Sequence, residues 1–261
     1  MQVVHGHLYD FPQYYDLVFG SDWKAEFDFL QGCFARHASG KVRRLFEPAC
    51  GTGRLVYRLA KAGFEVSGLD LNERAVNYCN RRLARHGLPQ TAWVGDMCEF
   101  RLPKRADAAF NTINSFRHLT TAKQAKAHLT AMAEALRPGG IYVLGLHLTP
   151  TASRPMDEES WSARRGNLAV NTHMVTIERN LAERRERFRM TFDVYTPTRS
   201  FRLEDEISFR TYTARQMRDL IAAVPAFQLT AAYAFAYDLS QPLEIDSSTA
   251  DVVLVLKTRA K

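Results

Sequence analysis

Leu45-Phe46-Glu47-Pro48-Ala49-Cys50-Gly51-Thr52-Gly53-Arg54 decides how this chain is read. Apolar residues run straight into two glycines, and Leu55, Leu59 and Ala60 then follow at helical spacing. Strand, glycine turn and helix in that order is how α/β proteins build a nucleotide cradle, because glycine lets the backbone approach a ligand where a Cβ would clash. The next apolar stretch, from Phe64 to Leu69, ends on Asp70. A carboxylate at that strand end can accept hydrogen bonds from both hydroxyls of a ribose. Taken alone, Gly51 and Gly53 fit an ordinary strand–turn–helix as well as a ligand cradle, since short motifs recur by chance.

The spacing also fits a dinucleotide site. That fingerprint wants a third glycine three positions after Gly53, so that helix and strand pack tightly around a pyrophosphate. The residue there is Val56. A bulky side chain suits a ligand without a pyrophosphate. S-adenosylmethionine (SAM), an adenosine joined to a methionine sulfonium, is such a ligand.

Strand and helix patterns alternate on both sides of the cradle. Strands are expected at 43–48, 64–70, 91–95, 106–113 and 140–147, and helices at 53–62, 72–86 and 121–136. The last helix opens on a capping box, Thr121-Ala122-Lys123-Gln124, and stops at Pro138-Gly139-Gly140. Before the cradle, Trp23, Phe27, Leu30 and Phe34 form one apolar stripe of a further helix. From 165 to 212 three strand-like runs (168–179, 186–195, 201–211) follow one another without a helix, as in an antiparallel sheet. A helix over 214–224 follows, again with a capping box (Thr213 to Gln216). An alternating strand around Phe227–Phe235 and the unbroken run Val252–Leu256 complete the chain. The expected fold is α/β: a Rossmann-like, seven-stranded, mostly parallel sheet with helices on both faces, plus a three-stranded antiparallel insertion after strand five. The expected organisation is an N-terminal aromatic and helical lid (1–40), an α/β core (41–150), the β insertion as substrate cover or dimer contact (151–212), and a helix and hairpin completing the core (213–261).

The 261 residues suffice for one such domain, and 46% apolar and 24% charged residues are ordinary for a globular chain. No apolar run spans a bilayer, and the N-terminus lacks the plan of a signal peptide. Four dispersed cysteines without a Cys-x-x-Cys fit a reduced, cytoplasmic chain without a zinc cluster. The net charge of +7 invites a nucleic-acid reading. However, the cluster Arg74, Arg81, Arg82 and Arg85 reads as a solvated helix face, and Glu183 and Glu186 interrupt the later arginine-dense stretch.

Ligands of open α/β sheets bind at the carboxyl ends of the strands. Those ends hold Glu47, Ala49, Gly51 and Gly53, then Asp70 and Leu71, then Gly95, Asp96 and Met97, then Asn111 to His118. Asp96 beside Met97 suits an adenine, and serves equally as a turn cap.

Glu47-x-x-x-Gly51-x-Gly53, the terminal Asp70, Gly95-Asp96-Met97 and the Leu136-Arg137-Pro138-Gly139-Gly140 turn resemble the spaced motifs of class I SAM-dependent methyltransferases. Tyr15-Asp16-Leu17, Asn114-Ser115-Phe116-Arg117-His118-Leu119 and the β insertion before Tyr212-Thr213 look like the small-molecule N-methyltransferases that dimethylate amino groups of nucleotide-linked sugars. The resemblance implies a SAM cofactor (product S-adenosylhomocysteine, SAH), no metal, and methyl transfer to a small-molecule acceptor, at nitrogen rather than oxygen. It assigns the cofactor to Tyr15, Glu47, Ala49, Gly51, Gly53, Asp70, Leu71, Asp96, Met97 and Asn111. It places Tyr15 and His118 beside the acceptor amine as catalytic residues, with Tyr14 a rival. Arg210 is the candidate for an anionic substrate group, and Trp161, His173, Arg179 and Tyr212 are further candidate contacts. The run Asn111-Thr112-Ile113-Asn114 lacks the prolines of nucleic-acid amino-methyltransferases, which argues against base methylation. A protein, peptide or RNA acceptor, a non-catalytic SAM-binding subunit, and a homodimer are the readings left beside it.

Overall fold

The computed structural model describes residues 1–259. The chain runs β1 (Gln2–His5), a 3-10 turn (Leu8–Asp10), α1 (Pro12–Gly20), α2 (Lys24–His37), β2 (Arg44–Pro48), α3 (Val56–Lys61), β3 (Glu65–Asp70), α4 (Glu73–Arg85), β4 (Ala92–Val94), β5 (Ala106–Asn111), a second 3-10 turn (Ser115–His118), α5 (Ala122–Ala135) and β6 (Leu136–His147). It continues through β7 (Glu158–Arg165), β8 (Leu168–Asn180), β9 (Arg185–Tyr195), β10 (Ser200–Arg210), α6 (Ala214–Ala222), β11 (Phe227–Tyr233) and β12 (Asp251–Thr258). Of the C-terminal segment expected over 213–261, residues 260 and 261 lie outside the described residues.

Seven strands make one sheet in the order β11-β12-β6-β5-β2-β3-β4. The pairs among β2 to β6 are parallel, and β12 runs antiparallel between β6 and β11. This is the Rossmann-like sheet that the alternation and the terminal hairpin predict. Val252–Leu256 is fully buried because β12 has a strand on either side and apolar cover on both faces. Both capping boxes form, at Thr121–Gln124 and Thr213–Gln216. The order switches direction between β2 and β5, and a crevice opens there at the carboxyl ends of the strands.

The helix after the cradle starts later than its sequence pattern suggests. Ala49, Gly51 and Gly53 all have left-handed backbone (φ 53°, 52° and 66°), so the chain turns until Leu55 and only then becomes helical.

All three expected insertion strands are present, as β8, β9 and β10, but their sheet has five strands, β1-β10-β9-β8-β7. The two additional strands lie at its edges, where burial leaves little trace in sequence. β7 reads Glu-Glu-Ser-Trp-Ser-Ala-Arg-Arg and is largely exposed. β1 is four residues long and pairs in parallel with β10, so the extreme N-terminus is built into the insertion. Tyr14, Leu17 and Val18 of α1 pack with Val170, Phe192 and Leu203 of the same sheet. Asp16, between them, is buried and takes Arg82 of α4 at 2.5 Å, Arg165 of β7 at 3.2 Å and the Thr52 hydroxyl at 3.0 Å. Arg82 is therefore not the solvated arginine its helix face suggests. It ties cradle, N-terminal segment and insertion to one carboxylate, whose pKa its donors hold below the usual value despite burial.

Candidate functional site

A cavity of about 570 Å³ lies at the carboxyl ends of β2, β3, β5 and β6. The inner face of the insertion sheet and the N-terminal segment cover it.

The cradle forms one wall. Asp70 Oδ2 accepts the Gly51 N–H and Oδ1 accepts the Asn72 N–H, each at 2.8 Å. A carboxylate oxygen has room for about two hydrogen bonds, so each keeps an acceptor position free. Burial raises the Asp70 pKa, and the two backbone donors offset part of that rise. Leu71, 70% exposed, offers an apolar side chain on the same wall, and Met97 lines the cavity from the turn after β4. Gly53 stands behind the wall, where a Cβ would meet Cys79 Sγ at 2.2 Å. Gly53→Ala is therefore expected to cost about 2–4 kcal/mol, from left-handed strain plus overpacking. Urea unfolding of Gly53→Ala, Cys79→Ala and the double variant checks this. The double variant should recover the packing part of the loss and keep the strain.

The second wall is polar and buried. Glu47 at the end of β2 has Oε2 without a hydrogen-bond partner, and Asn111 at the end of β5 has Oδ1 in the same condition. Asn111 is held in place by its amide donating to Pro48 O at 2.7 Å. Burial pushes the Glu47 carboxyl well above the carboxylate range, against a smaller pull from Arg54. Arg54 forks onto Glu26 of α2, with Nη2 to Oε1 at 2.7 Å, and reaches Thr112 Oγ1 at 3.5 Å.

The third wall is aromatic. Tyr9 and Tyr15 lie 5.2 Å apart, Tyr15 and Phe19 4.5 Å, and Phe19 meets Trp161 of β7 edge-on at 5.8 Å (ring centroids). Tyr9 Oη and His118 Nε2 are hydrogen-bonded at 2.8 Å, and His118 sits edge-on to Phe209 at 4.7 Å. Burial, with His7 and Arg117 nearby, lowers the His118 pKa to about 4, so its imidazole is neutral at pH 7. A second imidazole, His147 at the end of β6, binds Asp251 through Nδ1 at 2.5 Å. Asn114, in left-handed backbone, fixes that strand end by accepting the His147 N–H at 3.1 Å.

Of the expected site residues, Tyr15, Glu47, Ala49, Gly51, Asp70, Leu71, Met97, Asn111 and His118 line this one cavity, as does Trp161. Gly53 and Asp96 do not. Asp96 is exposed and caps its own turn, accepting the Cys98 N–H at 2.7 Å. Tyr14 is buried against Phe201 in the insertion core. Arg210 is turned away, donating to Thr120 O at 2.7 Å. His173, Arg179 and Tyr212 also lie off the wall, and Arg179 is spent on Glu186 and Asp157. Sequence reasoning missed Tyr9, Arg54 and His147, and named Thr112 only within the strand end Asn111 to His118. Strand-end position signals His147, at the end of β6. Nothing local signals that Tyr9 would meet His118.

Residues 46–140 match the family described as a methyltransferase domain. A dTDP-3-amino-3,4,6-trideoxy-alpha-D-glucopyranose N,N-dimethyltransferase of Streptomyces venezuelae is 30% identical over 138 residues, covering 52% of this chain and 56% of that protein. The chain spans about half the length of the sequence relatives it matches. Among solved structures, a SAM-dependent methyltransferase from Clostridium acetobutylicum superposes with a TM-score of 0.77 at 15% identity, over 97% of this chain and 100% of that one. Streptomyces venezuelae DesVI gives 0.76 at 20% identity, over 95% and 98%. The chain carries the class I SAM-dependent methyltransferase fold.

Proposed function

We propose that the chain is a SAM-dependent methyltransferase acting on a small-molecule acceptor, at nitrogen in preference to oxygen. One observation carries this reading. Glu47 Oε2 and Asn111 Oδ1 are buried acceptors without donors, at the switch point of the sheet and on the wall of the cavity. Buried polar atoms are almost always paired, so two orphans on one wall mark a place for a donor-rich cationic group. The ammonium of a methionine moiety is such a group. The free positions on Asp70 suit a ribose, and Leu71 and Met97 suit an adenine. When bound, SAM supplies an activated methyl group on a sulfonium.

The chain's own residues do the rest. Methyl transfer is an in-line displacement, so its catalysis is mainly positioning and exclusion of water. The aromatic wall supplies the exclusion. An amine must be neutral to attack, so a bound ammonium first gives its proton to water at the cavity mouth, and the methylated amine loses one to solvent on release. With Tyr9 Oη–H donating to His118 Nε2, the Tyr9 oxygen keeps lone pairs for an amine N–H. His118, a weak base here, accepts that hydrogen bond without holding a charge in the wall. Tyr15 covers the same corner.

His118→Ala is expected to lower turnover about 10²-fold with SAH affinity within twofold of wild type. Protonation of His118 removes its acceptor role only as pH falls through about 4, so its loss limb lies there rather than at its usual 6.5. A pH profile of kcat over 3.5–9 locates that limb.

Calorimetric titration with SAM, SAH and NAD tests the reading itself. SAM and SAH bind and NAD does not. Burial pushes the Glu47 carboxyl up in the free protein, and a ligand ammonium beside it pulls it back down. Over the pH range in which that shift falls SAH binding releases protons, read as a dependence of the binding enthalpy on the buffer's ionisation enthalpy. Glu47→Gln loses that dependence. Binding of NAD alone overturns the proposal. SAH binding with no methylation of any amine leaves a non-catalytic subunit.

A further inference from the structure

We propose that the acceptor half of the cavity takes an organic ammonium with an apolar body and no phosphate, rather than an amine carried on a nucleoside diphosphate. This inference rests on the methyltransferase reading and names its substrate class. The strand register of the insertion builds the surface. Glu159, Met174, Met190 and Asp205 lie opposite one another across β7, β8, β9 and β10, so two methionines are bracketed by two carboxylates in a single row. Glu159 and both methionines line the cavity, with Trp161, Ile207 and Phe209 beside them.

Charge is what selects the ligand. Among the described residues lining the cavity, Arg54 is the one arginine or lysine, and Glu26 holds it. A diphosphate needs free guanidinium or ammonium donors, and this wall presents none. It presents carboxylates and ring faces instead. Glu159 is exposed at the mouth. Asp251 stands behind His147, while Asp205 is already engaged by the Leu8 N–H and His7 Nδ1, each at 3.0 Å. Trp161 attracts an ammonium through its ring, Phe209 (already carrying Arg117 over its ring) adds apolar surface, and methionine adapts to an irregular apolar body. Arg210, the residue best placed in sequence for an anionic group, points elsewhere.

The test uses the full chain saturated with SAH, whose own binding is measured first. Failure at that step sinks the methyltransferase reading and is distinct from failure of this one. The SAH complex is then titrated with a panel of aryl- and alkyl-amines led by phenethylamine, with the neutral isostere phenethyl alcohol, and with thymidine diphosphate. At least one amine is expected to bind, about tenfold or more tighter than its alcohol, without competition from thymidine diphosphate. Trp161→Ala and Glu159→Gln are expected to weaken that amine about five- to tenfold and leave SAH binding unchanged. Three results overturn the proposal: thymidine diphosphate displacing the amine, the alcohol binding as tightly as the amine, or no amine of the panel binding.

Discussion

Asp70→Ala is expected to reduce SAH affinity about 10²-fold or more, and Asp70→Asn by an intermediate factor. The estimate takes two hydrogen bonds to a charged acceptor, at roughly 1.5–3 kcal/mol each. Asparagine keeps one acceptor oxygen but turns an amide donor toward a ribose hydroxyl or a backbone N–H. A structural residue would lose binding by unfolding, and pH linkage separates the two cases. Burial raises the Asp70 pKa in the folded chain. A carboxyl raised on folding stabilises the fold fully below its unfolded pKa, and that contribution disappears as pH rises through the folded pKa. The pH-linked part of its contribution is therefore lost, not gained, as the side chain ionises, and two backbone hydrogen bonds are what the ionised group keeps in the fold. Asp70→Asn should melt within a few degrees of wild type while binding SAH far more weakly. Thermal melts with and without SAH read both quantities. A large fall in Tm of the free variant would make Asp70 a scaffold residue instead.

How much was legible depended on whether the physics was local. The cradle, the terminal Asp70 and the two capping boxes follow from residues within one turn of each other, and all form where the sequence places them. The β12 run was legible because burial on both faces leaves an unbroken apolar signature. β7 was not, because an exposed edge strand needs no apolar face. The strand-end position of Asp96 suits an adenine contact or a turn cap, and the cap is what forms: its side chain satisfies the backbone two residues on. Local capping of that kind competes with ligand roles at every strand end. Tyr9 and His118 are 109 residues apart, and their pairing exists only because β1 joins β10 and carries the N-terminal turn over β5.

The core and its cover are latched by buried ion pairs that sequence does not announce. Arg117, just before His118, pairs with Glu186 of β9 at 2.5 Å with both side chains almost fully buried. This fixes the turn after β5 to the insertion sheet, and so fixes the height of the aromatic wall above the cradle. The cradle's own latch is Glu26 with Arg54.

Glu26→Gln is expected to destabilise the protein by about 3–5 kcal/mol, which removes a buried partner from an arginine that cannot neutralise itself. For a domain of this size that is a fall in Tm of roughly 10 °C. Burial alone would pull the Arg54 pKa down, but Glu26 and Glu47 together raise it, so the guanidinium stays charged inside the wall. Without Glu26 its remaining neighbouring carboxylate is Glu47. Arg54 would then pull the Glu47 carboxyl further down in the free protein, and two consequences follow. SAH loses an available acceptor and binds more weakly, and the proton released on binding shrinks. The double variant Glu26→Gln/Arg54→Met separates stability from function, since an apolar replacement of both charges recovers most of the lost stability. With the arginine gone, its downward pull on the Glu47 carboxyl goes too, and proton release on SAH binding does not shrink as it does in Glu26→Gln. Chemical denaturation and calorimetry in two buffers measure both on the same three proteins. A loss below about 1 kcal/mol in Glu26→Gln would show that water reaches Arg54, since that is the scale of solvent-exposed pairs, and the cradle would then owe its rigidity to the glycines and Asp70 alone.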